Sequence, residues 1–476
     1  MKYPFQTLVE KLKFDILTEI AKAAFGDNFK DDLEKIPEKI SPGTKPTYRC
    51  CVHSERAICK ERINIVVNPT KIKHVMNVIK SACDQCPMGG YTVTASCRGC
   101  IGHACKVACP KGAISIDANH RAHIDKEKCI NCGLCAKACP FGAIYNFRRP
   151  CQKACHTGAI TMDEDLSAKI NHDKCISCGA CMQKCPFGAI TDKSQIVQVI
   201  TRLRNHKGKL MYCIVAPSIV AQIQGITLEQ LAEAIKLLGF DKVTEAAMGA
   251  DIVAWEEGNE LAKKSFLTSS CCPAFVEYIN KFHPELQSKI STALSPMAQI
   301  AKEIRQLHSD AIIVFAGPCT AKKMEAEKYE VAQYVDYVIT FDELRAMVAA
   351  KDIEVDQLKG ISVLDDATEY GRNFASCGGL ANAVVQVLKE IGETKFQLCA
   401  KSCSGMKECI EAITKHLSGE DTKTNFIEGM ACEGGCVNGA GSIVHNTALS
   451  KARVTIHSKT AKQKTVKESA GRFIKK

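Results

Sequence analysis

The sequence predicts an α/β domain over its second half, a cysteine-rich α+β region ahead of it and a helical extension at the N-terminus. Three observations carry that reading. Short apolar runs alternate with helical patterns after Lys193, the signature of strands and helices in succession. Sixteen cysteines fall between Cys83 and Cys185. Phe5, Leu8, Leu12, Ile16 and Ile20 recur at helical spacing with Lys and Glu between them. The expected divisions are residues 1–80, 81–200 and 201–446, with a basic tail over 447–476.

The chain has 476 residues, 46% hydrophobic and 24% charged, an ordinary globular composition with room for about three domains. Glu10 and Lys11 break the N-terminal apolar pattern before it resembles an export signal, and no apolar run is long enough to cross a bilayer. A cytoplasmic protein with no membrane contact is expected. Twenty-nine cysteines in a chain of this size and context point to metal rather than disulfides. Of the formal charge of +11, most lies in residues 450–476, where seven lysines and two arginines face one acid, Glu468. That tail reads as a solvated, disordered end, with docking of an acidic electron carrier as the functional rival. Nucleic-acid binding has no supporting motif.

Within the extension, Cys50, Cys51 and Cys59 fit no metal spacing and read as buried or idle thiols. The next region is far more specific. Cys129, Cys132, Cys135 and Cys139-Pro140 follow C-x2-C-x2-C-x3-C-P, and Cys175, Cys178, Cys181 and Cys185-Pro186 repeat it. Bacterial ferredoxins use this run, three thiolates binding one 4Fe-4S cubane and the fourth crossing to its partner. Zinc sites favour separated ligand pairs instead. Two degenerate copies precede the clean ones: Cys97, Cys100, Cys105 and Cys109-Pro110, and a truncated Cys151 and Cys155. Every copy is followed by Gly-Ala-Ile, at Gly112, Gly142, Gly158 and Gly188.

Two tandem ferredoxin-like units are therefore expected. Crossing the fourth ligands gives one cubane on Cys97, Cys100, Cys105 and Cys139, a second on Cys129, Cys132, Cys135 and Cys109, and a third on Cys175, Cys178, Cys181 and Cys155. Cys83, Cys86, Cys151 and Cys185 remain, enough by arithmetic for a fourth.

In the α/β region, Met211–Val215 and Ala311–Ala316 read as buried strands, Leu228–Leu238 and Leu380–Leu388 as helices. Three short stretches hold the chemistry: Ser270-Cys271-Cys272-Pro273, Pro318-Cys319-Thr320-Ala321-Lys322, and Gly429-Met430-Ala431-Cys432-Glu433-Gly434-Gly435-Cys436. They supply four candidate cluster ligands, Cys272, Cys319, Cys432 and Cys436, with a spare thiol and a lysine. Gly434 and Gly435 let the backbone lie close to something large. The motif cysteines fall just after strands, where open α/β sheets place their ligands, as does Ala216-Pro217-Ser218.

These three stretches, in this order, resemble the active-site signatures of the iron-only hydrogenases, T-S-C-C-P, P-C-x-x-K-x-x-E and M-A-C-x-G-G-C, across residues 205–446. The resemblance implies a catalytic domain holding an H-cluster between its lobes: a cubane bridged by Cys436 to a diiron unit with carbon monoxide, cyanide and a dithiolate. It implies that Lys322, Ser218, the backbone near Pro217, and Met430 surround that unit. It further implies a proton path from Cys271 through Glu257, Ser291 and Glu260, the two glutamates sharing a helix face. Electrons would come from a ferredoxin-like carrier, and maturation proteins would build the diiron unit. The rival reading is a non-catalytic relative, a redox sensor or iron-sulfur assembly factor, against which Lys322, Cys271 and Glu325 count.

Four positions depart from the commonest pattern in the manner of the branch called group B. Gly317 stands where methionine precedes Pro-Cys, Phe275 where tryptophan is usual, Cys377 where a hydroxyl is usual and Ala440 in place of glycine. All four are expected to line or support the diiron pocket.

Overall fold

The computed structural model describes residues 5–474 apart from 85, 87, 88, 363–366 and 395, with the backbone alone for 472–474. Two parallel sheets organise the α/β region. Strands β9 (Met211–Val215), β10 (Lys242–Glu245), β12 (Ile312–Gly317) and β13 (Tyr337–Thr340) form one in the order β10-β9-β12-β13. Strands β11 (Leu267–Thr268), β14 (Ala400–Ser404) and β15 (Phe426–Met430) form the other in the order β11-β15-β14. Every pairing within both sheets is parallel. Strands β9, β12 and β15 are buried at every residue, as strands covered on both faces are. Each sheet has its own core, one around Ile214, Val314 and Ile339, the other around Leu267, Phe275 and Phe426.

The N-terminal extension forms α1 (Leu8–Phe25), α2 (Phe29–Ile40) and α3 (Val52–Val67). Thr7 caps α1 through its side chain, and α2 carries Asp31 and Asp32 in its first turn, where the helix dipole favours acids. Ile16, Ile20 and Ile36 are buried in the same core as β9, so the extension completes the first lobe. Cys59 is fully buried there and Cys51 caps α3, as structural thiols.

The cysteine-rich region consists of short hairpins and single-turn helices. Its two ferredoxin-like units are in tandem by sequence, but strand pairing nests one within the other. Strand β2 (Gly90–Val93) pairs antiparallel with β5 (Ile144–Phe147), closing one unit on itself. Strand β1 (Met76–Val78) pairs antiparallel with β8 (Ile190–Asp192), closing the other unit across it. Hairpins β3 (Ile114–Ile116) with β4 (Ala122–Ile124), and β6 (Ile160–Met162) with β7 (Ala168–Ile170), are corresponding parts of the inner and outer units. The four repeat glycines share one conformation, φ 58, 58, 64 and 61° at Gly112, Gly142, Gly158 and Gly188, which a side chain disfavours.

The basic tail differs from expectation. It forms two helices, Thr447–Ser458 and Val466–Ile474, with Val454, Val466 and Ala470 fully buried. Its lysines lie among apolar anchors at helical spacing, so charge alone misread it. Arg372 and Glu245, each 1% exposed, pair at 2.8 Å beneath it, and His457 of the tail sits 3.0 Å from the same carboxylate. Ser469 donates to the buried Asp251 at 2.7 Å. Arg372→Ala is expected to cost about 3–5 kcal/mol, because it strands a buried carboxylate; chemical denaturation of the purified protein reads it directly.

Candidate active site

The site lies at the C-terminal ends of the parallel strands, where loops leave both sheets at once. Cys272 follows β11, Cys319 follows β12, and Cys432 and Cys436 follow β15. All four come together from these separate loops. Burial pushes the Cys436 thiol up to about 12, with Cys319 and Cys272 the next contributors. Cys432 is raised by burial and then by Cys319, Cys272 and Cys436. Burial likewise raises Cys319 to about 11, followed by Cys272. Thiols so raised are neutral when metal-free, so a bound cluster must displace their protons and hold them as thiolates.

Beside this quartet is a cavity of about 60 Å³ bordered by Ser218, Cys271, Phe315, Lys322, Met430 and Cys436. Two features of its wall favour an anionic, hydrogen-bond-accepting guest. Ser218 is fully buried and its Oγ has no partner among the described residues, an arrangement that costs free energy unless something accepts from it. Lys322 is 7% exposed, with Nζ 2.8 Å from Glu325 and 3.4 Å from the Cys271 carbonyl. Burial opposes the Lys322 charge, but Glu325, Cys319 and Cys436 outweigh it and raise its pKa. Neighbouring Lys323 turns away to Asp192 and Glu343, at 2.7 Å from each, tying β8 to the first lobe. These residues fit a diiron unit with cyanide ligands.

Cys271 borders the cavity, its thiol raised by burial first and by the Glu257 charge next. Glu257 is fully buried on the helix Ala247–Leu261, accepting from Ser270 N and Oγ at 2.9 Å each, with Oε2 unpaired. Burial pushes its carboxyl up to about 7, against the hydrogen bonds from Ser270. Ser291 Oγ donates to Glu260 at 2.9 Å, and Glu260 accepts from the half-exposed Lys264 at 2.6 Å. Cys271, Glu257, Ser291 and Glu260 thus run from cavity to surface.

The accessory thiols group as the crossed ferredoxin pattern requires. Burial raises Cys105, with Cys100 and Cys139 among its neighbours; burial raises Cys135, with Cys129 and Cys109 among its own. Burial pushes Cys178 to about 12, with Cys175, Cys155 and Cys272 nearby. The Cys155, Cys175, Cys178 and Cys181 quartet therefore adjoins the quartet of Cys272, Cys319, Cys432 and Cys436, Cys178 also influencing Cys432. These quartets are open: among the described residues no three His, Cys, Asp or Glu side chains close to the spacing of ligands on a single ion. A four-iron cube holds its thiolates further apart than one metal ion does.

A family model for the C-terminal domain of the iron only hydrogenase large subunit matches residues 209–440, and the 4Fe-4S binding domain matches 122–145 and 168–191. Over residues 209–440 the chain is iron-only hydrogenase-like. The hydrogenase-like chain is 29% identical to the periplasmic Fe hydrogenase large subunit of Nitratidesulfovibrio vulgaris, over 69% of its own length and 87% of that protein. It is 27% identical to iron hydrogenase 1 of Clostridium pasteurianum, over 53% of each chain, so it spans about half of that relative. It is also 28% identical to the probable cytosolic Fe-S cluster assembly factor oxy-4 of Caenorhabditis elegans, over 38% of its length and 49% of that protein. Its fold matches an apo hydrogenase variant from Chlamydomonas reinhardtii with TM-score 0.50 at 22% identity, over 59% of this chain and 94% of that one.

Of the two roles expected for the departures from the common motif, lining and support, the cavity wall leaves only support. None of Gly317, Phe275, Cys377 and Ala440 borders the cavity. A Cβ on Gly317 would fall 2.3 Å from the Phe315 ring, so Phe315 fills the space of the missing side chain and itself borders the cavity. Phe275 is fully buried with its ring flat against Gly429, whose Cβ would fall 2.3 Å away. Ala440 packs on Gly179, beside Cys178, where a Cβ would come within 2.3 Å. Gly434 and Gly435 are crowded by protein, not by the cavity: their Cβ atoms would meet Thr447 at 2.1 Å and the Cys377 backbone at 2.7 Å.

Sequence reasoning missed Phe315, Met297 and Phe374 in the wall, and Glu428, whose charge acts on Cys271 and Cys436. Phe315 had a signal, since it shares a strand face with Gly317 two residues on. Glu428 had one too, as the single acid in the buried strand β15; it accepts from Gly378 N, Ala381 N and Ser402 Oγ.

Proposed function

We propose that this protein is an iron-only hydrogenase, evolving or consuming dihydrogen, wired by 4Fe-4S clusters to a ferredoxin-like carrier in the cytoplasm. The observation carrying this reading is the cavity beside Cys436, with the buried Lys322, the unpartnered Ser218 hydroxyl and Cys271 around it. A cluster-carrying protein without hydrogen chemistry needs the four thiols but none of these.

When bound, the diiron unit supplies the two-electron chemistry at hydrogen that a cubane, passing single electrons, does not. Cys272, Cys319, Cys432 and Cys436 would hold the adjoining cubane, with Cys436 reaching both. Lys322 Nζ and Ser218 Oγ would donate to the cyanides, held out of water where such bonds are strong. The Cys271 thiol moves a proton between the cavity and Glu257, whose value near 7 suits both acceptance and donation at neutral pH. Ser291 and Glu260 carry it to the surface beside Lys264. A cubane held by Cys155, Cys175, Cys178 and Cys181 would supply electrons on the side of Cys272 and Cys432, which adjoin Cys178.

The inserted ferredoxin-like unit is the docking face for the carrier. Residues 90–148 hold eight Lys and Arg against three Asp and Glu, and Ile101 and Val107 beside its ligands are 98% and 83% exposed. An acidic carrier with an apolar contact rim complements such a face. Maturation proteins would deliver the diiron unit.

The second reading, an iron-sulfur assembly factor, is favoured by the assembly-factor relatives alone. An infrared spectrum of the protein, co-produced with maturation proteins and kept anaerobic, separates the two. Bands of metal-bound carbon monoxide and cyanide are expected; their absence alongside a successfully matured control hydrogenase would favour the assembly factor.

A further inference from the structure

The nested units expose a correspondence that the motif spacing alone conceals. In all four copies the alanine after the repeat glycine donates its N–H to the cysteine four residues back: Ala113 to Cys109 at 3.3 Å, Ala143 to Cys139 at 3.4 Å, Ala159 to Cys155 at 3.3 Å and Ala189 to Cys185 at 3.3 Å. Cys185 therefore occupies the cradle of a crossing fourth ligand. In the inner unit the equivalent Cys139 crosses to the copy containing Cys97, Cys100 and Cys105. The copy facing Cys185 retains only its third position, Cys151, four residues before Cys155 as Cys105 is before Cys109.

The missing pair lies on the far side of the insertion. Cys83-x2-Cys86 follows β1 as Cys97-x2-Cys100 follows β2, and β1 and β2 play the same part in their units. The match extends to individual bonds. Cys83 Sγ accepts from Ala168 N, the first residue of β7, at 3.3 Å, and the Cys97 thiol accepts from Ala122 N, the first residue of the corresponding β4. Cys83 and Cys151 are buried in one core with Cys185 at its edge. Cys151 is pushed up to about 11, by burial and then by Cys185, Cys83 and Cys86.

A buried cation faces these thiols. Arg149 is 3% exposed, with Nη1 3.5 Å from Cys83 Sγ and Nε without a partner among the described residues. A guanidinium buried among neutral thiols is costly, whereas a cubane on four thiolates, with a charge of about −2, offsets it.

We propose that Cys83, Cys86, Cys151 and Cys185 hold a fourth accessory 4Fe-4S cubane whose ligands come from both sides of the inserted unit. It sits where the chain enters and leaves that unit, and Cys151 adjoins Cys181 of the next cubane. It takes one electron from the inserted unit and passes one to the cubane of Cys155, Cys175, Cys178 and Cys181. The inference goes beyond the hydrogenase reading and stands without it.

The test is iron and acid-labile sulfide analysis of the full chain, produced without maturation proteins and reconstituted anaerobically. Five cubanes give about 20 irons per chain and four give about 16. The Cys83→Ser/Cys86→Ser double variant should lose about four irons with the remaining cubane spectrum intact, and Cys86→Ala should lose that cubane or convert it to a three-iron centre with its own paramagnetic signal. A second measurement does not remove a ligand. Arg149→Gln should retain the full iron content but lower one cubane's midpoint potential, because the cation stabilises the more negative reduced state. A wild-type count of about 16, an unchanged count in the double variant, or a redox titration of Arg149→Gln in which no cubane shifts overturns the proposal. Infrared bands play no part, so the hydrogenase reading can fail while this one holds.

Discussion

Cys436→Ala should abolish hydrogen turnover and leave every accessory cluster in place. Cys436 opens a short turn, Cys436–Asn438, that both borders the cavity and faces Cys272 and Cys319. It is the one candidate cubane ligand besides Cys319 on the cavity wall, and the one that the motif resemblance assigns as the bridge. Alanine keeps the backbone turn, and losing one buried sulfur costs the fold on the order of 1 kcal/mol. The accessory quartets have their own ligands and, apart from Cys178, pack around Ile114 and Ile160 in cores of their own. Carbon monoxide and cyanide bands should be missing from the variant's infrared spectrum while the accessory cubanes remain visible by electron paramagnetic resonance. Bands of normal intensity would mean that another residue makes the bridge.

The sequence made this site legible because cluster chemistry demands particular atoms at particular spacings. Three loops after three strands are enough to place Cys272, Cys319, Cys432 and Cys436, and Lys322 follows from its offset. The crossed pairing of Cys109 and Cys139 was readable for the same reason. What stayed hidden depends on long-range packing. No spacing rule says that β1 pairs with β8 across an entire inserted unit, so Cys83 and Cys86 looked like leftovers. The tail misled because its lysines dominate the composition, while Val454, Val466 and Ala470, which decide its burial, are few. The group B substitutions were legible only in outline: none lines the cavity, and the packing of Phe275 on Gly429 and Ala440 on Gly179 depends on contacts that no spacing rule shows.

The proton path predicts the sharpest separation between assembly and turnover. Cys271→Ala should retain cubane and diiron unit yet turn over at least about a hundredfold more slowly, the range expected when a positioned acid-base group is removed. Its neighbour Cys272 makes the metal bond, and a methyl group carries no proton. Cys271→Asp should recover part of the rate, because the burial that raises the thiol also raises a carboxyl placed there. Glu257→Gln should slow turnover as well, but with an opposite effect on stability. Burial holds Glu257 near 7 instead of 4.5, so between those values the native state binds more protons than the unfolded chain and stability falls as pH rises. By pH 8 the loss amounts to about 3 kcal/mol for this one group. Glutamine removes it, so the wild type should lose more thermal stability between pH 5 and pH 8 than the variant does. Asp251, pushed up to about 6 by burial, leaves both proteins a residual slope of the same sign. Hydrogen evolution from a reduced dye, normalised to infrared intensity, reads the kinetic half. Near-normal turnover in Cys271→Ala would remove the thiol from the path, whereas a pH slope unchanged in Glu257→Gln would mean that the carboxyl ionises as freely in the fold as in the unfolded chain.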